Sequence, residues 1–366
     1  SKNFKLMILK TYQKYLIKEF LLFILKVTFV FFILGFIMGI LEELRFFSDI
    51  ETEYYFPILL VFLNLPSLIY QIFPFIILIS VIFLFLNLSE KGELISFKNN
   101  GLENFEIIKL ISVVSLLIGI FTIIIFYNFA ALLKFNYLDI KKNYTTDSKY
   151  LASITENGIW IKDEIDESIL FINAKKIELN NLIDVEIVKL SKDFEYQNTT
   201  TSKKVNIRNN LWLINNAYIV YDDNTRKLED KVELNTNFNF DKISNLYSDL
   251  SSITLWGLVK LKDDYKSVNY STTEIDYQFQ KILSYPIYLT IMSLLSVVMM
   301  MNLKVGVNRV FVITIGIFLS VLIYYINHFF GIIGRNETIP LLVSIWIPLL
   351  ILFLISTIGL VKINEK

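Results

Sequence analysis

Residues 20–41 read FLLFILKVTFVFFILGFIMGIL, an unbroken apolar run whose one charge is Lys26. A hydrocarbon core of about 30 Å is crossed by a helix of about 20 apolar residues, and this run has that length. A cleavable signal peptide would carry an apolar core of roughly 7–15 residues and then a small-residue cleavage site. The small residues near the end of this run are Gly35 and Gly39 alone, so it reads as a retained first spanning helix. Lys26 lies about two turns inside, from where its long stem reaches the interface.

Five further runs reach spanning length: residues 57–88, 107–133, 282–303, 310–333 and 339–361. The second is longer than one crossing needs. Its start is expected at the interface, and Pro66 and Pro74 are expected to kink it. The bulk composition agrees. Hydrophobic residues make up 54% and charged residues 19%, the latter below the usual share of about a quarter.

The runs fall into two groups of three around a different kind of sequence. Residues 1–133 hold the first tail and three helices, with a loop at 89–105. Residues 134–276 form an inserted β-rich domain, and residues 277–366 hold three more helices and the last tail. The insert has Asn, Thr and Asp turn signals between short β-branched or alternating runs. Examples are Gly158-Ile-Trp-Ile-Lys162, Ile169-Leu-Phe-Ile172, Val185-Glu-Ile-Val188, and Trp212-Leu-Ile through Tyr218-Ile-Val-Tyr221. Such spacing suggests a sandwich, a jelly roll or an open barrel. The fold class expected is therefore six transmembrane helices in a three-plus-three order, with an inserted, jelly-roll-like all-β domain outside the cytoplasm.

Orientation follows from the short loops, because Lys and Arg accumulate on the cytoplasmic side. Lys2, Lys5, Lys10, Lys14 and Lys18 precede the first helix. Lys91, Lys98 and Lys109 lie between the second and third, Lys304 and Arg309 between the fourth and fifth, and Lys362 and Lys366 at the end. The other side shows Arg45 amid Glu42, Glu43, Asp49, Glu51 and Glu53, and then Arg335. Both termini are thus expected in the cytoplasm, with the β domain across the membrane.

Several chemistries are excluded or disfavoured. Lys plus Arg and Asp plus Glu balance at 35 each, so no basic excess points to nucleic acid. With no cysteine there is no thiolate nucleophile, disulfide or Cys-based metal site. No G-x-x-x-x-G-K-[ST] loop is present, so ATP hydrolysis would fall to another chain. His328 is the sole histidine and cannot make a His-rich metal site. No catalytic residue, resident cofactor or metal is expected. Glu42, Glu43 and Arg45 read either as solvated helix-end charges or as a polar gate with one cation for an anionic lipid.

The loop Asn87-Leu-Ser-Glu-Lys-Gly-Glu-Leu-Ile-Ser-Phe-Lys-Asn-Asn-Gly101 is the most informative stretch. Glu90 and Glu93 lie one turn apart, Leu94, Ile95 and Phe97 are apolar, and Gly101 can stop a short helix. Such a helix reads either as an ordinary solvated loop or as a plug for a groove on a soluble partner.

At this point the residues resemble a family. The three-plus-three plan around an extracytoplasmic β domain is similar to the lipopolysaccharide export permeases, the LptF/LptG family. Pro66 and Pro74 match its second helix, and Gly92-Glu-Leu-Ile-Ser-Phe-Lys-Asn-Asn-Gly101 resembles its S-E-L-x-x-x-(R/Q)-x-x-G element. Gly158-Ile-Trp-Ile-Lys-Asp163 resembles the strand that opens its β domain. Tyr277 to Pro286 and Phe329-Phe-Gly331 resemble the start of its fourth helix and the outer end of its fifth. Glu42-Glu-Leu-Arg45 and the spacing of the prolines look more like LptG. The chain departs from the pattern at Gly92, where a Ser cap is usual, at Asn99 and Asn100, which replace small residues, and on helix one. There the family's several outer basic residues are reduced to Arg45.

The resemblance implies an inner-membrane permease of an ABC transporter that extracts lipopolysaccharide. It implies a second, homologous permease as heterodimer partner, a cytoplasmic ATPase dimer that binds the ATP, and a single-span periplasmic bridge protein. Glu93, Leu94, Phe97, Gly101 and Glu90 would couple to the ATPase. Arg45, Glu42, Glu43 and Phe329 would contact or gate the lipid, with helices one and five as lateral gates. A permease for another lipid or lipoprotein, a membrane-bound glycolipid-modifying enzyme, and a ligand-binding sensor or scaffold stay open as alternatives.

Overall fold

In the computed structural model the described residues are 10–48, 50, 53, 55–142, 144, 159–165, 168–178, 180–240, 243, 249–267, 271–302 and 308–364. Lys2, Lys5, Asp49, Glu51, Gly158, Lys304 and Lys366, each used above, lie outside them. Contacts divide the chain into two units, one of Ser1–Lys134 with Asp276–Lys366 and the other of Phe135–Ile275.

The apolar runs of the first unit become helices. They are α1 (Thr11–Phe46), α2 (Tyr55–Glu90), a short α3 (Glu93–Asn99), and α4 (Asn104–Phe121), which passes through a π-helical turn (Thr122–Tyr127) into α5 (Asn128–Lys142). After the second unit come α7 (Thr273–Asn302), α8 (Arg309–Arg335) and α9 (Leu341–Asn364). Six of these segments, counting α4 and α5 as one, are long and apolar enough to cross a membrane. Two of them, α2 and α7, bury most of their apolar stretch, whereas α1 and α8 leave most of theirs facing outward.

The centre of this unit is the α2–α7 contact. α2 runs through Pro66 and Pro74 as one helix. The Tyr285 hydroxyl donates to the Tyr70 carbonyl at 2.7 Å, and the Ser296 hydroxyl to the Leu78 carbonyl at 2.9 Å. Around them Ile76, Ile82, Ile291, Met292, Val312 and Ile323 form an apolar core joined by α8. In lipid these hydroxyls have no water to turn to, so partners are found within the bundle. On α1 the residues at four-residue spacing, Gly35, Gly39 and Glu43, lie on one face. A Cβ on Gly35 would stand 2.8 Å from Leu65 and one on Gly39 3.0 Å from Val61, so small residues let α1 close on α2. The third span meets α7 the same way, since a Cβ on Gly119 would stand 2.5 Å from the Pro286 Cα. The π-helical turn follows three residues later. Its loosened carbonyls are covered by Thr122, which donates to Ile118, and by Asn128, which donates to Ile124, both at 2.8 Å.

The second unit is a six-stranded antiparallel sheet, β1 (Ile159–Ile165), β2 (Ser168–Glu178), β3 (Asn181–Ser191), β4 (Tyr196–Asn206), β5 (Leu211–Tyr221) and β6 (Arg226–Asn235), paired in sequence order. It is a meander, and the crossing connections of a jelly roll are not among these pairings. On β5, Trp212 and Ile214 are buried, then Ala217 and Ile219, because Asn216 at φ +50° shifts the alternation by one residue. Asn tolerates that left-handed conformation better than most residues. The Trp212 indole donates to the Phe238 carbonyl at 2.8 Å. Asp163 of β1 accepts from the Asn237 backbone at 2.9 Å and from its side chain at 2.8 Å, so the segment after β6 is tied to the first strand. A helix α6 (Leu255–Ser267) follows, which the β-rich reading of the insert did not foresee.

Candidate coupling and lipid-contact sites

α3 is a single short helix bounded by two left-handed glycines, Gly92 at φ +68° and Gly101 at φ +78°. No side chain caps its start, as expected from a glycine where a hydroxyl is usual. Its end is a double closure. The Gly101 N–H donates to the Lys98 carbonyl at 3.0 Å and the Leu102 N–H to the Phe97 carbonyl at 3.0 Å, the six-to-one and five-to-two pattern that a glycine at this position permits. Asn100 adds a bond from its amide to the Ser96 carbonyl at 2.8 Å. A position that departs from the family's pattern thus helps to finish the helix.

The carboxylates of this loop are already engaged within the chain. Tyr15 of α1 donates its hydroxyl to Glu93 Oε2 at 2.7 Å, and Tyr12 donates to Glu106 Oε2 at 2.8 Å. Glu90 at the end of α2 pairs with Arg309 at the start of α8. These contacts gather the start of α1, the 89–105 loop and the start of α8 at one end of the bundle. Phe97 turns toward α1 and lines a recess with Tyr12, Tyr15 and Leu102. Glu93 and Leu94 are half-buried, and the large apolar group left exposed on α3 is Ile95. Tyr12, Tyr15 and Arg309 belong to this site and were not singled out for it by sequence, whereas Ile95 was named there with Leu94 and Phe97 as an apolar residue of the loop. The available signal was a pair of tyrosines one turn apart in an otherwise lysine-marked segment.

The residues expected to touch lipid do not form one cluster. Glu43 is 2% exposed and shares its face of α1 with Gly35 and Gly39, against α2. Glu42 and Arg45 are exposed, and among the described residues Arg45 makes no ion pair. Phe329 is exposed on α8 and packs edge-on against Phe330, with no ring contact to the α1 group among the described residues. Lys26 lies 5.0 Å from the Phe23 ring, which turns its ammonium back along α1 toward the starting end.

At the end away from α3, a cavity of about 160 Å³ opens between α2, α7, α8 and α9. Its floor is the Tyr70–Tyr285 stack, with centroids 4.6 Å apart. Tyr324 stacks on His328 at 6.0 Å, and the Arg335 guanidinium sits 5.3 Å from the Tyr277 ring. Lys281 lines the same space.

Six spanning helices, a β unit between the third and fourth, and a short capped helix between the second and third define a polytopic membrane protein built as a transporter subunit. The profile of the family described as lipopolysaccharide export system permease LptF/LptG matches residues 14–362, and the chain belongs to that family. It is a permease of the lipopolysaccharide export system, and the profile covers LptF and LptG together. Comparison with curated proteins returns no match.

Proposed function

We propose that this permease is driven through α3 by a separate cytoplasmic ATPase dimer and works as one half of a heterodimer with a second, homologous permease. The observation that carries the reading is α3 itself, a helix fixed at both ends by glycines that exposes Ile95 beside Glu93 at the end of the bundle. A rigid short helix with one exposed apolar anchor suits insertion into a groove on a soluble partner. Glu93 is the coupling carboxylate, Leu94 and Phe97 shape the helix, and Glu90 ties the loop to α8 through Arg309. The sequence holds no G-x-x-x-x-G-K-[ST] loop, which supports ATP being bound by the partner.

On this reading the α3 end is cytoplasmic, which the loop lysines support, the membrane is the inner membrane, and the β unit is periplasmic. There the terminal strands of its sheet, β1 and β6, are the candidates for strand-to-strand docking with a single-span bridge protein of similar fold. Lipid would enter along the outward-facing α1 and α8. Removing several acyl chains from a bilayer costs about 0.8 kcal/mol per CH₂, which demands both an apolar path and an external energy source. The test is co-purification of the tagged chain from gently solubilised native membranes. An ABC-type ATPase and a second six-helix permease are expected, with bound lipopolysaccharide. Recovery of the chain alone across several detergents overturns the assembly, and a different bound lipid moves the substrate to that lipid or a lipoprotein.

A further inference from the structure

We infer that the first turns of α6 form a membrane-surface wedge, with Trp256 and Val259 set into the headgroup region of the bilayer face opposite α3. The wedge depends on the chain being a membrane protein and not on its ATPase, its partner permease or its lipid cargo.

The start of α6 is fixed locally. Thr254 caps it: its hydroxyl accepts from the Gly257 N–H at 3.2 Å, and its carbonyl from the Leu258 N–H at 2.9 Å. Gly257 lets the preceding segment close on this turn, since a Cβ there would stand 2.7 Å from Ile253. Just before it, the Asp249 carboxylate accepts from the Ser251 N–H at 2.9 Å and holds the short 3₁₀ turn Leu250–Ser252. The side chains of the first turns therefore point from a rigid base.

The two sides of the helix differ. Leu258 and Leu261, three apart, are buried. Trp256, Val259, Lys260 and Asp263 follow one another at three-, four- and seven-residue spacing from the tryptophan, so they share the other face, and all four are exposed. Among the large apolar side chains of the described residues Trp256 is the most exposed, at 83%, and Val259 is 45% exposed. Trp256 thus shows more of itself than any large apolar group on the spanning helices, whose exposure lipid explains. A tryptophan joins a large apolar ring to one polar N–H, and such residues collect where a bilayer meets water.

Chain length brings this face within reach of lipid. Residues 268–272 alone separate α6 from α7, a reach of at most about 18 Å. The helical stretch 273–281, about 14 Å long, then leads to the apolar run at Ile282. α6 is thereby tethered within about 30 Å of the surface that α7 enters. That surface is the one away from α3, because α7 ends at Asn302 and its successor α8 begins beside Glu90. The order of residues selects a bilayer over another protein. Residues 255–259 carry no charge, whereas Lys260, Lys262, Asp263, Asp264 and Lys266 crowd the rest of the helix. Asp263 lies about 10 Å along the axis from Trp256, far enough to stay in water while Trp256 and Val259 reach the headgroups. A protein interface centred on Trp256 would cover Asp263 on the same face, and charged residues are depleted from interface cores. A wedge here gives the inserted unit a hold on the bilayer beyond its two chain connections.

The experiment uses the full chain in nanodiscs of mixed phosphatidylethanolamine and phosphatidylglycerol. Because the sequence has no cysteine, Trp256→Cys, Val259→Cys and Asp263→Cys each offer a single site for a nitroxide label. Spin relaxation by oxygen, which enters lipid, is compared with relaxation by a water-soluble nickel chelate. Labels at 256 and 259 are expected to respond more to oxygen, and the label at 263 more to the chelate. A chelate response at 256 and 259 equal to that at 263 overturns the wedge. Loss of both responses at 256 and 259 assigns the face to a protein contact and overturns it as well. Native tryptophan fluorescence checks the same point without a label. The emission quenched by lipid brominated just below its headgroup is expected to fall in Trp256→Phe, with the share owed to Trp346 of the α9 span remaining. Equal quenched emission in the native chain and the variant overturns the wedge.

Discussion

The hydroxyl of Tyr15 lies 2.7 Å from Oε2 of Glu93, joining the first helix to the loop helix across 78 positions of sequence. The carboxylate proposed to meet an ATPase is therefore already bonded to α1, a helix whose apolar stretch faces mostly outward. A displacement of α3 has a direct route to α1, and a basic group arriving on Glu93 must share it with the tyrosine. Removing the carboxylate separates the two functions. Glu93→Ala is expected to leave the chain inserted and the partner ATPase hydrolysing while lipid export is lost. Export assayed alongside hydrolysis in reconstituted vesicles checks it, and normal export in this variant refutes the coupling role.

Tyr15→Phe deletes only the hydroxyl. The half-buried setting keeps the cost to stability modest, about 0.5–1.5 kcal/mol for one hydrogen bond. The expected phenotype is intermediate: reduced export per ATP, with the ATPase still bound. In a double variant with Glu93→Ala the tyrosine change should add nothing further, because its partner is gone. Additive loss in that cycle would show that Tyr15 acts through another contact.

Gly101 and Gly92 have φ values of +78° and +68°. A Cβ would meet open space at either, so any penalty is conformational and not steric. Gly101→Ala is expected to cost about 1–2 kcal/mol locally, and Gly101→Asn less, because Asn tolerates the left-handed region. Capture of the ATPase by the tagged chain should fall in that order, native above Asn above Ala. Equal capture by all three would mean that α3 forms on contact with its partner regardless of its stop.

Much of this architecture was legible because membrane crossing imposes a length and a polarity that few residues can disguise. Residues 20–41, 57–88, 107–133 and 310–333 each sit inside an observed helical segment, as do residues 282–302 and 341–361 of the other two runs, and the helices extend beyond the apolar runs by the polar turns that hydropathy ignores. The glycine stop at Gly101 was legible for the same reason, since a single backbone conformation demands it. What escaped was long-range and polar. Tyr15 and Glu93 carry no local mark of their meeting. Strands β4 and β6 read YQNTTTSKKVN and RKLEDKVELN, too polar to stand out until β3 and β5 supply their neighbours. Helix α6 was hidden because Leu258 and Leu261 bury one narrow stripe while Trp256 stays exposed, a pattern also compatible with an alternating strand.

At Gly119 the neighbouring atom is backbone, the Pro286 Cα at 2.5 Å, and backbone cannot rotate away. Gly119→Ala is expected to push the third span from α7 and to destabilise the bundle by about 1–3 kcal/mol. Gly316→Ala meets the tip of Ile82 at 2.3 Å, a side-chain end that can turn, and should cost less. Thermal unfolding of both variants in one detergent ranks them. Equal midpoints would mean that the third span adjusts its tilt without cost.

The Trp212 ring is fully buried in the sheet unit and its indole bonds to the Phe238 carbonyl at 2.8 Å. Trp212→Ala removes a large volume from one core and is expected to cost about 3–5 kcal/mol. Trp212→Phe should cost less, because the Phe238 carbonyl still accepts from the Thr236 hydroxyl at 2.7 Å. Limited proteolysis of the full chain within residues 159–240 reads both, with the Ala variant cleaved fastest. Cleavage no faster than native would place the stability of this unit elsewhere than in its tryptophan.

Arg45 tests where the lipid's negative charge is held. It is exposed at the end of α1, with Glu42 beside it in sequence and Glu43 turned inward against α2. An exposed cation in water contributes little to binding, about 0–1 kcal/mol, and the adjacent carboxylate reduces its field. Arg45→Gln is therefore expected to weaken lipid crosslinking to α1 by no more than a few-fold. Measured with one photoreactive lipid, a loss of about tenfold or more would make Arg45 the principal anion contact on helix one.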